Sequence, residues 1–241
     1  MKKLSEINAL CRDCALVAGQ FMRFAVLKGK LMDFLRIFSK ACKSSNGSLF
    51  SKLKCSVLFF NSQNYPYKHK YFNLIMDKYS KNYSGKVSNI LDLGCGFGDL
   101  AYFLGKRLSA QYTGIDFSQD MAPVWEIVSS QTNSRFYKTN VLEFVKKPLC
   151  FDLIICLNTI MYFEDYPAFL EDIFRNSKKS ADFIVSFSTP TKSQLSTHKH
   201  GPVRITGELF ERDATRAGFK IMDHFEFPLS DGAIYTYLMK K

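Results

Sequence analysis

From Val87 onward the chain alternates short, nearly continuous apolar runs with stretches whose apolar residues recur every three or four positions. The first pattern suits strands buried on both faces, and the second suits helices lying against them. It predicts strands at Val87–Leu93, Gln111–Ile115, Ser134–Lys138, Phe151–Leu157, Ala181–Ser188, Phe219–Phe227 and Ala233–Met239. Helical patterns fall between them at Gly98–Leu108, Gln119–Gln131, Asp165–Lys178 and Gly207–Ala217. Such alternation is the mark of a parallel sheet covered on both faces. Upstream, Ser5 to Lys40 reads as two helices with a break at Lys28-Gly29-Lys30. Their apolar residues run most of the way round the wheel, leaving Arg12, Arg23 and Lys30 on one narrow polar stripe, so these helices are expected to be buried. Lys43 to Lys54 reads as a loop with an Asn-Gly turn signal. Tyr65 to Tyr71 reads as an aromatic, basic turn leading into a helix over Phe72 to Tyr79. No internal repeat is visible.

Composition narrows the setting. With 241 residues, 46% hydrophobic and 15% aromatic, the chain has the make-up of one large folded domain or a domain with an appendage. Cys14 to Met22, the longest uncharged apolar run near the start, is half of what a bilayer crossing needs. Met1-Lys2-Lys3 resembles a signal-peptide start, but Glu6, Arg12 and Asp13 interrupt any apolar core. Seven scattered cysteines suit a reducing compartment, and a cytoplasmic location is expected. Cys150 and Cys156 flank an apolar strand and read as inert core, while Cys11 and Cys14 form a lone C-x-x-C that does not make a zinc site. No metal is expected.

The net charge of +11 is unevenly placed. Met1 to Lys86 holds 16 Lys and Arg against 4 Asp and Glu; the remainder holds 17 against 18. This shift marks a boundary near Gly85.

The chemistry concentrates in Ile90-Leu91-Asp92-Leu93-Gly94-Cys95-Gly96-Phe97-Gly98, a strand running into a glycine turn that opens a helix. Glycine permits unusual φ angles and close approach of a ligand to the backbone, and a following helix offers N–H groups to an anion. The spacing is G-x-G-x-G followed by Asp99, so the third glycine of the dinucleotide fingerprint is missing; no Gly-Lys-Ser/Thr follows, which excludes a P-loop. Asp116 closes the next strand, 18 residues after Gly98, where a carboxylate would reach the ribose hydroxyls of a nucleoside seated on the turn.

With these residues the chain resembles the class I S-adenosylmethionine-dependent methyltransferases. ILDLGCGFG and TGIDFS fit the first two motifs of that family; FDLIICLNTIMYF (Phe151 to Phe163) resembles its fourth-strand motif. The stretch from Glu208-Leu209-Phe210 to Ala217-Gly218-Phe219 is similar to the late helix and turn of its small-molecule branch. The resemblance spans roughly Lys70 to Met239. It implies an α/β fold: a Rossmann-like, seven-stranded, mostly parallel sheet with helices on both faces, plus an N-terminal helical extension. The division would be 1–64 for the extension and 65–241 for the methyltransferase domain. The resemblance also implies S-adenosylmethionine as cofactor, with Gly94, Cys95 and Gly96 lining its methionine part and Asp92 fixing the turn. Asp116 would take the ribose hydroxyls, Phe117 would cover the adenine, and Asn140 and Val141 would meet the adenine edge. The family more often carries Asp at the position of Asn140. Leu157 and Asn158 would face the methionine amine and the methyl group.

The acceptor is narrowed by absences. Asn158 is followed by Thr159-Ile160 rather than Pro-Pro, against an adenine-N6 enzyme, and no Pro-Cys follows a strand, against a cytosine-C5 enzyme. His198 and His200, after the fifth strand, are candidate bases; imidazole titrates near pH 6.5 and can take a proton from a hydroxyl or ammonium at neutral pH. The alternative is a solvated loop with two incidental histidines. Tyr162 is a further candidate, whereas His69 and His224 have no comparable placement. The expected acceptor is an O or N atom of a small-molecule substrate, with the basic N-terminal helices as a lid. The alternatives are methylation of a macromolecule (RNA or protein) docked by that segment, and a module that holds the cofactor without turnover; a nucleic acid or membrane surface as partner of the basic segment is the less favoured reading.

Overall fold

A computed structural model describes residues 31–43, 55–57, 59–60, 66–83, 85–105, 107, 109–118, 121–188, 203–230 and 232–241. Seven strands form one sheet: β1 (Asn89–Leu93), β2 (Gln111–Asp116), β3 (Ser134–Lys138), β4 (Leu153–Leu157), β5 (Asp182–Ser188), β6 (Lys220–Leu229) and β7 (Gly232–Lys240). Their order is β3-β2-β1-β4-β5-β7-β6. The first five are parallel, and β7 runs antiparallel to both β5 and β6. Chain order reverses between β1 and β4, and in such sheets a ligand binds in the crevice at the carboxyl ends of the strands flanking that point.

Each central strand alternates its side chains between two cores, as the pleat requires. Leu91, Leu93, Ile154, Cys156, Phe183, Val185 and Phe187 face one core, with Phe169, Leu170, Ile173 and Phe210 packed on them. These belong to α6 (Tyr166–Asn176) and α7 (Gly207–Ala217); the short α5 (Val141–Phe144) adds Val141. Ile90, Tyr112, Leu153, Ile155 and Ile184 face the other core, covered by α2 (Pro66–Asn82), α3 (Asp99–Leu104) and α4 (Ala122–Ser129). Burying each large apolar side chain contributes about 1.5–3 kcal/mol. This face-by-face partition is what makes the strands legible as apolar runs.

Two expectations are corrected upstream of β1. Residues 66–71 are not a turn: α2 begins at Pro66, a residue at home in the first turn of a helix because its missing N–H would lack a partner there anyway. Nor does the change in charge near Gly85 divide the structure. Tyr71, Phe72, Ile75 and Tyr79 of the basic α2 are buried in the second core, and its Lys78 pairs outward with Asp223 at 3.1 Å.

The helix α1 (Leu31–Lys43) lies against α4. It is amphipathic rather than buried all round, with Ala41 enclosed but Leu35, Arg36, Lys40 and Cys42 exposed. The rest of the predicted helical pair, including the polar stripe of Arg12, Arg23 and Lys30, lies outside the described residues, as do Cys11 and Cys14. Cys150 is exposed, not core, because it precedes β4 instead of belonging to it; Cys156, inside β4, is buried. All five cysteines among the described residues are free thiols. Among the described residues, no helix is long and apolar enough to cross a membrane.

Candidate active site

The glycine turn leaves β1 at Leu93 and is tied by backbone hydrogen bonds to the end of β2 and within itself. The amides of Gly94 and Cys95 both donate to the Ile115 carbonyl, at 2.8 and 3.0 Å, and that of Gly98 donates to the Cys95 carbonyl at 2.9 Å. Gly94, Gly96 and Gly98 all have positive φ. At Gly94 the requirement is doubled, since a Cβ there would stand 2.1 Å from Thr159 Oγ1. That hydroxyl itself donates to the Gly94 carbonyl at 3.3 Å, tying the end of β4 to the turn.

Asp116, at the end of β2, accepts from the Gly96 amide at 2.9 Å and from the Ser118 amide at 3.0 Å. From the other side the Trp125 indole donates to the Gly96 carbonyl at 2.8 Å, and its ring stacks on Phe136. Gly96 is thus clamped at both its N–H and its C=O, while a Cβ on it would meet no atom of the described residues within 4 Å. The inner surface of the turn therefore faces open space.

That space consists of two cavities meeting at Gly94. The larger, about 510 Å³, is lined by Asp116, Phe117, Asn140, Val141, Leu142, Thr159, Tyr162 and Phe163. The smaller, about 330 Å³, is lined by Asp92, Cys95, Gly96, Leu157 and Asn158, and by Tyr67, Lys68, Tyr71 and Phe72 from α2. The sequence-predicted residues divide between them: Asp116, Phe117, Asn140 and Val141 line one, and Asp92, Cys95, Gly96, Leu157 and Asn158 line the other.

Particular roles differ from expectation. Asp92 does not fix the turn. It points to the α2–α3 face of the sheet and accepts a hydrogen bond from the Tyr112 hydroxyl; Asp116, Trp125 and Thr159 brace the turn instead. Burial is the main cause that pushes the Asp92 carboxyl up to about 7; the Tyr112 bond opposes this, and the carboxylates of Asp116 and Asp99 add to it. The Cys95 thiol is raised for the same reasons, burial first and then Asp92 and Asp116, so it is held as a neutral small side chain. Asn140 caps α5, its Oδ1 accepting from the Leu142 amide at 2.8 Å. Phe117 and Tyr162 stand 76% and 58% exposed at the rim of the larger cavity. His198 and His200 lie outside the described residues. His69 and His224 pack on Phe103 and Tyr237.

Asn158 is the most strained residue of the site. Its φ of 53° is the left-handed conformation, rare for a residue with a Cβ, and its amide is fixed by the Ser186 carbonyl at 2.9 Å. Its Oδ1 is buried with no hydrogen-bond partner, and the residue lines the smaller cavity. A buried acceptor without a donor costs free energy, and strain of this kind concentrates at ligand sites.

A site built at the switch point of a 3-2-1-4-5 core, in a sheet extended by an antiparallel β7, is that of the class I methyltransferase fold. The family model for the methyltransferase domain matches residues 84–211, just over half of the chain, and the protein belongs to that family of S-adenosylmethionine-dependent enzymes. Ajmaline N-methyltransferase from Rauvolfia serpentina is 23% identical over 104 residues, which is 42% of this chain and only 36% of that protein's length. Among solved structures, an S-adenosylmethionine-dependent methyltransferase from Clostridium acetobutylicum ATCC 824 is similar with a TM-score of 0.58 and 18% identity, over 73% of this chain and 92% of that one. N-methyltransferase NodS from Bradyrhizobium japonicum WM9 gives 0.58 and 16%, over 74% and 98%. Magnesium protoporphyrin IX methyltransferase (ChlM) from Synechocystis PCC 6803, with bound S-adenosylhomocysteine, gives 0.56 and 14%, over 92% and 96%. At these identities the structural likeness is one of fold.

The chain's residues fit the cofactor. The orphan Asn158 Oδ1 needs a donor, which an α-ammonium supplies; the open inner face of Gly96 leaves room beside the turn; the apolar walls of the larger cavity suit a purine ring. Sequence reading missed Thr159, Trp125 and Lys68. The Thr159 and Trp125 contacts join strands and helices far apart in the chain, and no local pattern announces them.

Proposed function

We propose that the protein transfers a methyl group from S-adenosylmethionine to an oxygen or nitrogen atom of a small molecule, and that it does so in the cytoplasm. The observation that carries this reading is the smaller cavity: at about 330 Å³ it is lined by Tyr67, Tyr71, Phe72, Leu157 and Ile234. Its size suits the amino-acid end of the cofactor and a compact acceptor; a polymer would need an open groove. Three similar proteins named above are an ajmaline, a NodS-type and a magnesium protoporphyrin IX methyltransferase, and small-molecule acceptors are consistent with that company.

When bound, the cofactor supplies a sulfonium methyl group open to attack by an electron-rich atom. The chain's own task is positioning and, for a protonated acceptor, removing a proton. Asp116 is assigned the ribose hydroxyls, for a carboxylate that already accepts two amides has lone pairs left. Phe117 and Val141 are assigned the adenine, Asn158 the α-ammonium, and Leu157 the surroundings of the methyl group. His198 and His200 are carried as the proton acceptors. Replacing both should lower turnover across pH 6 to 8 and leave cofactor affinity alone; wild-type rates would remove them from the mechanism.

The second reading is methylation of a macromolecule docked by the basic first third of the chain, and the charge excess there favours it. Within α2, however, Lys68 and Lys78 are already paired with Asp99 and Asp223, which reduces what that helix offers an anionic partner. The deciding experiment uses methyl-labelled S-adenosylmethionine in an extract separated into small-molecule, lipid, RNA and protein fractions. Label among small molecules supports the first reading. Label in RNA, with activity falling steeply as salt rises, supports the second.

A further inference from the structure

We propose that the buried hydroxyls of Ser186, Tyr71 and Thr236 act together as a positioning device for Asn158, the residue assigned to the cofactor's ammonium; the inference rests on that cofactor reading. The three residues come from β5, α2 and β7. Ser186 and Thr236 stand opposite each other in the β5–β7 register, and both are wholly buried. By the alternation of the pleat they lie on the face of the sheet that α2 covers, among Ile155, Ile184, Ile234 and Leu238. A hydroxyl in such apolar surroundings costs free energy unless it is hydrogen-bonded.

The helix α2 supplies the partner. The Tyr71 hydroxyl is hydrogen-bonded to Thr236 Oγ1 at 2.9 Å, and the Ser186 hydroxyl bonds to it as well. Burial pushes the Tyr71 hydroxyl up to about 12, against the pull of those two bonds, so it stays neutral and can both donate and accept. Ser186 carries the chain of bonds on to the site. The amide of Asn158 donates to the Ser186 carbonyl at 2.9 Å and to its Oγ at 3.2 Å. Asn158 is held in the left-handed conformation with its Oδ1 unpartnered at the wall of the smaller cavity, so its amide is its anchor. A serine oxygen that accepts from an amide still has its own proton to give, and Tyr71 takes it, which keeps the serine in one rotamer. Through Ser186, α2 and β7 thus set where Asn158 presents its acceptor.

The test compares two ligands by calorimetry on the full chain. S-adenosylhomocysteine carries the amino-acid end, whereas 5′-methylthioadenosine shares its adenosine and thioether but lacks that end. Ser186→Ala should weaken S-adenosylhomocysteine about three- to tenfold and leave methylthioadenosine unchanged. Thr236→Val keeps the side-chain shape, removes only the hydroxyl, and should shift the ratio of the two affinities in the same direction by a smaller factor. In an Asn158→Gly background, where the acceptor is gone, Ser186→Ala should cost nothing further. A hydroxyl that merely supports the fold would not show this coupling. An unchanged ratio in either single variant overturns the proposal. So does an equal loss for both ligands, or a Ser186→Ala effect that adds in full to that of Asn158→Gly. A wild type that binds neither ligand overturns the cofactor reading, and this inference with it.

Discussion

Asp116 Oδ2 accepts the amide of Gly96 at 2.9 Å, so the carboxylate that closes β2 also holds the turn that closes β1. One side chain thereby couples two neighbouring strand ends, and the two cavities on either side of Gly94 keep a fixed relation. Asp116→Ala should weaken S-adenosylhomocysteine by at least about tenfold, since each hydrogen bond to a charged group contributes roughly 1.5–3 kcal/mol. Calorimetry at neutral pH measures this. An unchanged affinity would remove Asp116 from the site.

Asn158 sets stability against binding. Its left-handed backbone and unpaired buried Oδ1 both disfavour the folded state. Asn158→Gly removes both and should stabilise the fold by roughly 1 kcal/mol, net of the extra freedom glycine gives the unfolded chain. The same change removes the acceptor assigned to the ammonium and should cost about tenfold in S-adenosylhomocysteine affinity. Urea unfolding and calorimetry on one preparation report both quantities. A less stable variant with unaltered binding would contradict the assignment.

Asp92 gives a pH signature. Its carboxyl is raised from an ordinary 3.8 to about 7 in the folded state, chiefly by burial. The folded protein therefore holds this proton where the unfolded chain has released it. Stability from this group is fully present below pH about 4 and is lost as pH rises toward 7. Asp92→Asn cannot ionise yet still accepts the Tyr112 hydroxyl. The stability of Asp92→Asn relative to wild type should grow between pH 4 and 7 and level off above, by an amount on the order of a few kcal/mol. Subtracting the two curves cancels Asp152, Asp213 and Asp223, whose carboxyls are lowered and act in the opposite sense. A difference that does not change with pH would show that Asp92 is not held protonated by burial.

Much of this was legible in the sequence because the sheet is parallel and covered on both faces. Strands such as Leu153–Leu157 are then apolar throughout, and Val87–Leu93 could be placed within two residues of β1. The glycine turn and the carboxylate at the end of the next strand were legible for another reason, since both lie in short motifs of fixed spacing, and the Gly96–Asp116 bond joins them in the fold. Elements whose identity depends on distant contacts were not. The start of α2 read as a turn because Tyr65-Pro-Tyr lacks helical periodicity, and only the packing of Tyr71 and Phe72 against the sheet makes it a helix. The same holds for Trp125 on Gly96 and Thr159 against Gly94, and for Asp92, whose partner Tyr112 lies on the neighbouring strand.

The central claim is that the two cavities meeting at Gly94 are the two ends of one cofactor site. A crystal structure of the full chain with S-adenosylhomocysteine tests it most directly. The adenine should lie in the larger cavity between Phe117 and Val141, and the amino-acid end in the smaller one beside Asn158. A ligand bound with its ends exchanged, or bound away from Gly94, would contradict the account.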